Sequence, residues 1–257
     1  MLEILAAGPM WCCMEKDDAR YSTLEQLHER RKQVVRLHRK GYGVMQIVGL
    51  SGLSYEQRPE AVQAWRDEQC PEIEKRAKAE VGEIHWGDET ALVNTDVRGR
   101  SYAPAGKTPV TCTVAGTRQK LSMIATVTNQ GKTRWMIIDE AFNADKLIEF
   151  LETLVKDAGK KVFLILDNLR VHHSKPVKAW AAERPDKIEL FYLPGYSPEL
   201  NPEERLNADL KRAIGTKVPV RTKAKLKLAA TEHMVKLEQS PERVKSFFQD
   251  PRVKYAA

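Results

Sequence analysis

Five apolar residues in succession, Val162–Leu166, stand between Lys161 and Asp167. A strand with one wet face alternates apolar and polar side chains, so a short unbroken run suits a strand covered on both faces. The chain around it alternates between the two periods. Residues 83–88 are a short strand candidate. Residues 120–128 and 132–138 read as two strands joined by Asn129-Gln130-Gly131, a hairpin. Residues 143–157 have helical spacing at Leu147, Phe150, Leu151 and Leu154, with Asn143 as N-cap. Residues 174–183 and 202–214 read as helices, and 188–193 as a strand. Strand, hairpin, helix, strand, helix, strand, helix predicts an α/β fold, a mixed sheet with helices on both faces.

Charge narrows the partners. The 257 residues carry a formal net charge of +7 and the pI is about 9.1. That balance favours a polyanion, because each Lys or Arg on a phosphate releases condensed counterions. Cys12, Cys13, Cys70 and Cys112 form no CxxC pair and have no His at zinc-finger spacing, so reduced thiols of a cytoplasmic protein are expected. No apolar run approaches membrane-spanning length. Residues 1–14 lack a basic leader and run into Glu15, Lys16, Asp17 and Asp18, which does not read as a signal peptide.

Ahead of the sheet lie two zones of different texture. In 21–55, Leu24, Leu27, Val34, Val35 and Leu37 recur at helical spacing, and Arg30, Arg31, Lys32, Arg36, Arg39 and Lys40 fill the other faces. Gly41-Tyr42-Gly43, a short apolar segment and Ser51-Gly52-Leu53-Ser54 follow. These are the parts of a helix-turn-helix, and equally of a small bundle with a solvated basic face. Residues 56–81 are charged and helical, with Pro59 and Pro71 each placed to open a helix, and read as a linker of two short helices. The domain expectation is 1–55 helix-turn-helix-like, 56–81 linker and 82–257 catalytic, with a basic helical tail.

The two best strands each run into acid. Ile84-His85-Trp86-Gly87 leads to Asp88-Glu89, and Val162–Leu166 leads to Asp167-Asn168. Strand ends are where open α/β sheets place their sites. A third acidic pair, Glu203-Glu204, opens the helix after Pro202. Hard oxygen ligands suit Mg²⁺ or Mn²⁺, and two such ions can clamp an in-line phosphoryl displacement. Duller roles compete: Asp88 as a turn cap, Asp167-Asn168 as turn chemistry, and Glu204 as the far partner of a capping box begun by Asn201. Helix phase complicates the third acid. Leu206, Leu210, Ala213 and Ile214 mark the apolar stripe, and Glu203 falls nearer it than Glu204.

Three segments carry a resemblance. They are Trp86-Gly87-Asp88-Glu89-Thr90; Leu164-Ile165-Leu166-Asp167-Asn168 with His172 behind; and Leu193-Pro194-Gly195-Tyr196-Ser197-Pro198-Glu199-Leu200-Asn201-Pro202-Glu203-Glu204. Together they resemble the IS630 family of bacterial insertion-sequence transposases, relatives of the Tc1/mariner group. The resemblance covers 55 to the C-terminus, with 21–55 as the family's first helix-turn-helix. It implies an RNase H-like fold and a catalytic, metal-binding triad of Asp88, Asp167 and Glu204. It also implies Mg²⁺-dependent cleavage of transposon ends in double-stranded DNA and joining into target DNA, by a homodimer when active. The 36 residues between Asp167 and Glu204 fit that group. Neither a membrane nor a small-molecule substrate enters this expectation; the cytoplasm, at the nucleoid, does.

The chain departs from the family in one respect. Only 32 residues separate Tyr55 from Asp88, where these transposases carry a second DNA-binding module. An internal loss near Tyr55-Glu56 is the expectation, so a shortened, non-catalytic repressor of transposition or a decayed remnant stand as alternative functions. Candidate phosphate contacts are Arg31, Lys32, Arg36, Arg39 and Lys40 in the first zone, and Arg205, Lys211 and Arg212 near the third acid. Lys217, Arg221, Lys223, Lys225 and Lys227 extend that basic stretch, and Arg98, Arg100 and Lys107 lie in an insert. Asp139-Glu140 also follows a strand but matches no motif, and His172 and His173 are candidates to touch DNA or a metal-bound water, although solvation is the expectation for surface histidines after a strand.

Overall fold

The computed structural model describes residues 24–42, 46–47, 50, 59–94, 104, 118–195, 197–215 and 222–257. The chain divides into two compact units, Met1–Glu56 and Gln57–Ala257. In the first unit, helix α1 (Leu24–Arg39) carries Lys32, Arg36 and Arg39 on exposed positions, with Lys40 just after it. The turn expected after α1 falls largely outside the described residues, as do the insert at 98–103 and 105–117 and residues 216–221.

The second unit is built on five strands: β1 (Glu83–Val93), β2 (Lys120–Val127), β3 (Thr133–Ile138), β4 (Val162–Leu166) and β5 (Ile188–Tyr192). Their order is β3-β2-β1-β4-β5. The β1–β2 and β2–β3 pairs are antiparallel, and β1–β4 and β4–β5 are parallel. The expected mixed sheet is therefore present. Strand β1 is longer than its sequence suggests and continues five residues past Asp88, because its second half pairs with β2 as far as Val93 opposite Lys120.

All five side chains of β4 are buried, and they alternate between two cores. Phe163 and Ile165 join one core with Trp86, Met123, Leu206, Leu210 and Met234. Val162, Leu164 and Leu166 join the other with Leu147, Leu151, Leu154, Val177 and Trp180. Helices α4 (Ala144–Ala158) and α5 (Lys175–Ala182) cover the second face. The Asn143 side chain caps α4 by accepting from Lys146 N–H at 2.9 Å, and Gly159 ends it in the left-handed region. The first face is covered by α6 (Glu203–Gly215), α7 (Lys223–Glu238) and α8 (Pro241–Ser246).

Residues expected as a linker are packed into this unit. Helix α2 (Pro59–Ala64) passes through a π-helical turn at Trp65–Gln69 into α3 (Cys70–Ala79). Trp65, Cys70, Ile73 and Ala77 are buried in the first core. Trp65 meets Trp86 edge to face at 6.3 Å and donates from Nε1 to Tyr255 Oη at 3.0 Å. The free thiol of Cys70 is pushed up to about 12 by burial and the neighbouring Glu74.

Candidate active site

Pleat and register bring the first two acids to one place. In the parallel β1–β4 ladder Trp86 stands opposite Ile165, and both side chains enter the core on the α6 face. Side chains two apart on a strand share a face, so Asp88 and Asp167 project side by side toward α6. Gly87 between them is tightly enclosed: a Cβ there would meet Leu166 Cδ2 at 3.0 Å and Thr126 Cγ2 at 3.1 Å.

The third acid arrives from the loop after β5. Asn201 fixes that loop against β1, donating from Nδ2 to Gly87 O at 3.1 Å and accepting Glu203 N–H at Oδ1 at 3.1 Å. The Asn201 N–H itself donates to Pro198 O at 3.0 Å. That bond occupies the donor a capping box would offer to Glu204. The Glu204 carboxylate instead lines a pocket of about 480 Å³ with Asp88, Glu89, Asp167, Asn168 and residues of the 193–201 loop. The phase argument is right about direction for Glu203, which turns into the core and is fully buried, while its neighbour faces the pocket.

Among the described residues, four carboxylates and no Lys or Arg line this pocket. Burial and the charges of Glu204 and Asp167 push Asp88 up to about 8. Burial, then Asp88 and Glu204, hold Glu203 well above the usual carboxylate range. Asp167 moves the other way. Burial opposes the shift, but the His172 hydrogen bond and charge and the Leu169 N–H hold it below its ordinary value. His172 Nδ1 lies 2.9 Å from Asp167 Oδ1, and Leu169 N–H donates to the same oxygen at 3.0 Å. The expectation that His172 is solvated is corrected: the ring is fully buried, edge-on to Phe142, and bonds back to the strand end. His173 stacks on Tyr192 at 4.0 Å and pairs with Asn168 Oδ1 at 2.9 Å, while Asn168 Nδ2 donates to Leu193 O.

The donor set is oxygen-only, negatively charged and without a cationic side chain, which is the chemistry that suits Mg²⁺ or Mn²⁺. Among the described residues no three ligating side chains already converge on one point. What Asp88, Asp167 and Glu204 present is a crowd of acidic oxygen donors whose mutual repulsion a divalent cation would relieve.

Other expected residues lie elsewhere. Asp139 is held by Lys227 at 2.5 Å and lies 3.9 Å from Lys223, which ties β3 to α7. Arg205 pairs with Asp250 at 3.0 Å. Lys211 is half-buried and Arg212 exposed on α6. The side chain of Arg31 lies outside the described residues. Of the two asparagines buried beside the acids, Asn201 reads in sequence only as a helix cap, and Asn207 escaped the sequence reading. An asparagine in an apolar helix stripe was the available signal for the second.

The sequence family described as DDE superfamily endonuclease matches residues 83–227. No curated protein sequence matches the chain. Among solved structures, the Mos1 strand transfer complex is similar at TM-score 0.54 and 17% identity, covering 95% of this chain and 81% of that one. The Mos1 mariner paired end complex with Mn gives 0.54 and 16%, with the same coverage. The catalytic domain of Mos1 mariner transposase gives 0.50 and 15%, covering 76% of this chain and 93% of that one. At such identities the likeness speaks to the fold, which is the RNase H-like arrangement that the sequence resemblance implied.

Proposed function

Because this chain belongs to the DDE superfamily endonucleases, we propose that it is a transposase that cuts transposon-end DNA and joins it to target DNA, using Asp88, Asp167 and Glu204. The observation that carries the reading is one pocket lined by all three, with no Lys or Arg among its described residues. A phosphodiester would be repelled from such a pocket unless cations entered with it. Mg²⁺ or Mn²⁺, two ions in this proposal, supplies charge neutralisation and activation of the attacking water or 3′-hydroxyl when bound.

The chain's own part is placement. Asp167 keeps one orientation because Oδ1 is held by His172 and Leu169. Asp88 Oδ1 accepts Glu89 N–H at 2.8 Å. Glu204 stands in the first turn of α6, where the helix N-terminus favours a carboxylate.

DNA is the proposed partner, as it is of the Mos1 complexes. Phosphate contacts are assigned to Arg31, Lys32, Arg36, Arg39 and Lys40 in the first unit, and to Arg205, Lys211 and Arg212 near the pocket. The same proposal places the chain in the IS630 branch, shortened between its two units, active as a homodimer and working at the nucleoid in the cytoplasm. Among the described residues no helix is long and apolar enough to cross a membrane. The test is Mg²⁺-dependent nicking of terminal-repeat DNA by wild type and Asp167→Asn. Nicking by wild type alone is expected; equal nicking by both overturns the assignment.

A further inference from the structure

Asn207 follows Glu203 by one helical turn on α6, and its side chain is buried between Glu203 and Asp88. Nδ2 donates to Glu203 Oε2 at 2.6 Å and to Asp88 Oδ2 at 3.3 Å. An amide nitrogen carries two hydrogens and can serve both acceptors at once. The remaining Asp88 oxygen takes the Glu89 N–H, so both oxygens of that carboxylate are engaged from fixed backbone or buried positions.

We propose that Asn207 is a positioning residue for Asp88, with Glu203 as its anchor. Glu203 fixes the rotamer of the amide, and the amide fixes the plane of the Asp88 carboxylate across the gap between α6 and β1. The inference rests on the reading of Asp88 as a metal ligand. It gives the buried acid a task that leaves the third pocket carboxylate to Glu204.

A polar pair kept only to stabilise the core would look different. It would close on itself within α6, and its polar atoms would be satisfied, since a buried group without a partner is costly. Here the amide reaches out of the helix to the strand. Among the described residues, Glu203 Oε1 and Asn207 Oδ1 meet no hydrogen-bond partner. Leu206, Leu210 and Ile214 already supply the apolar packing of this helix.

Partners that orient a metal's ligands typically carry about 10–100-fold in metal affinity or activity. The full-length chain is titrated with Mn²⁺ by calorimetry, and single-turnover nicking is followed in parallel. Asn207→Leu keeps the volume and removes the donor. Expected is a roughly 10–100-fold loss of Mn²⁺ affinity, with metal-free DNA binding unchanged. Asn207→Gln keeps an amide and recovers part of the loss. Should the leucine variant not fold, Asn207→Ala carries the same expectation. Wild-type Mn²⁺ affinity in a folded Asn207→Leu or Asn207→Ala overturns the inference, and so does a wild-type chain that binds no Mn²⁺. If Mn²⁺ binds, the variant weakens it and wild type still cuts no DNA, the positioning role stands and the nuclease reading falls.

Discussion

Glu83 and Asp88 stand five positions apart on the same strand, and their carboxyl groups are driven in opposite directions. Glu83 is buried at 6% exposure, yet it is drawn down to about 2 by the neighbouring imidazole of His85 and by the Lys132 ammonium. His85 is buried beside it, with Nε2 3.5 Å from Glu83 Oε2 and Nδ1 3.3 Å from Thr126 Oγ1. Asp88 is pushed up to about 8 by burial and by two further carboxylates. The contrast extends to the neighbours of β1. Near the start of β1, Glu189 takes both guanidinium nitrogens of Arg76 and Glu80 pairs with Lys161 at 2.6 Å. Around Asp88, four carboxylates share a pocket to which, among the described residues, no Lys or Arg contributes. Burial alone therefore does not set the charge of an acid here; the partner does. A strand that pairs the acid at its start with a lysine and crowds the acid at its middle with other carboxylates marks the middle as the place for a cation from outside.

The largest effect should come from the third carboxylate. Glu204→Gln is expected to reduce metal-dependent nicking by at least about 10³-fold, which corresponds to about 4 kcal/mol of barrier. Full activity in Glu204→Ala would remove Glu204 from the triad and return Glu203 to contention.

Next comes stability against pH. A carboxyl whose folded-state value lies above its unfolded value destabilises the fold once the unfolded chain releases that proton. For Asp88 the penalty develops as pH rises from about 4 to about 8. Asp88→Asn should therefore be more stable than wild type at pH 8.5, by on the order of 3 kcal/mol, and little different at pH 4. Urea unfolding at both pH values measures this, and Mg²⁺ should narrow the gap at the higher one.

Glu83 carries the opposite sign. Its contribution is present above the ordinary carboxylate range and is lost as pH falls from about 4.5 toward about 2. Glu83→Gln should cost about 2 kcal/mol at pH 7, since a buried group loses its charge partner, and should flatten the acid limb of the unfolding curve. Nicking by the folded variant should stay close to wild type. An unchanged acid limb would show that the pairing contributes nothing. The smallest effect belongs to Asp139, an exposed acid in an ion pair worth at most about 1 kcal/mol. Asp139→Asn should leave nicking within about twofold of wild type, and a larger loss would move this acid into the chemistry.

Much of this was legible in the chain because two periodicities are strong. The five-residue apolar run of β4 fixed a strand covered on both faces, and the acids following the two parallel strands fell where that sheet order places its ends. Helix phase correctly turned Glu203 inward. The phase could not tell that the residue beside the buried one lines the pocket, because that depends on where the loop after β5 sets the helix. His172 reads as a surface histidine since Phe142 and Asp167, which enclose it, are remote or point back along the chain. The Arg205–Asp250 ion pair was not legible because the two residues are distant in sequence. Residues 56–81 read as a linker because charge dominates their composition, and only packing reveals that Trp65 and Ile73 are core.

The central claim is that Asp88, Asp167 and Glu204 perform metal-dependent phosphodiester cleavage. Single-turnover nicking of terminal-repeat DNA with and without Mg²⁺, wild type beside Asp88→Asn, tests it most directly. The account predicts Mg²⁺-dependent nicking by wild type, none by Asp88→Asn, and equal DNA binding by the two. Nicking by Asp88→Asn at the wild-type rate would contradict it.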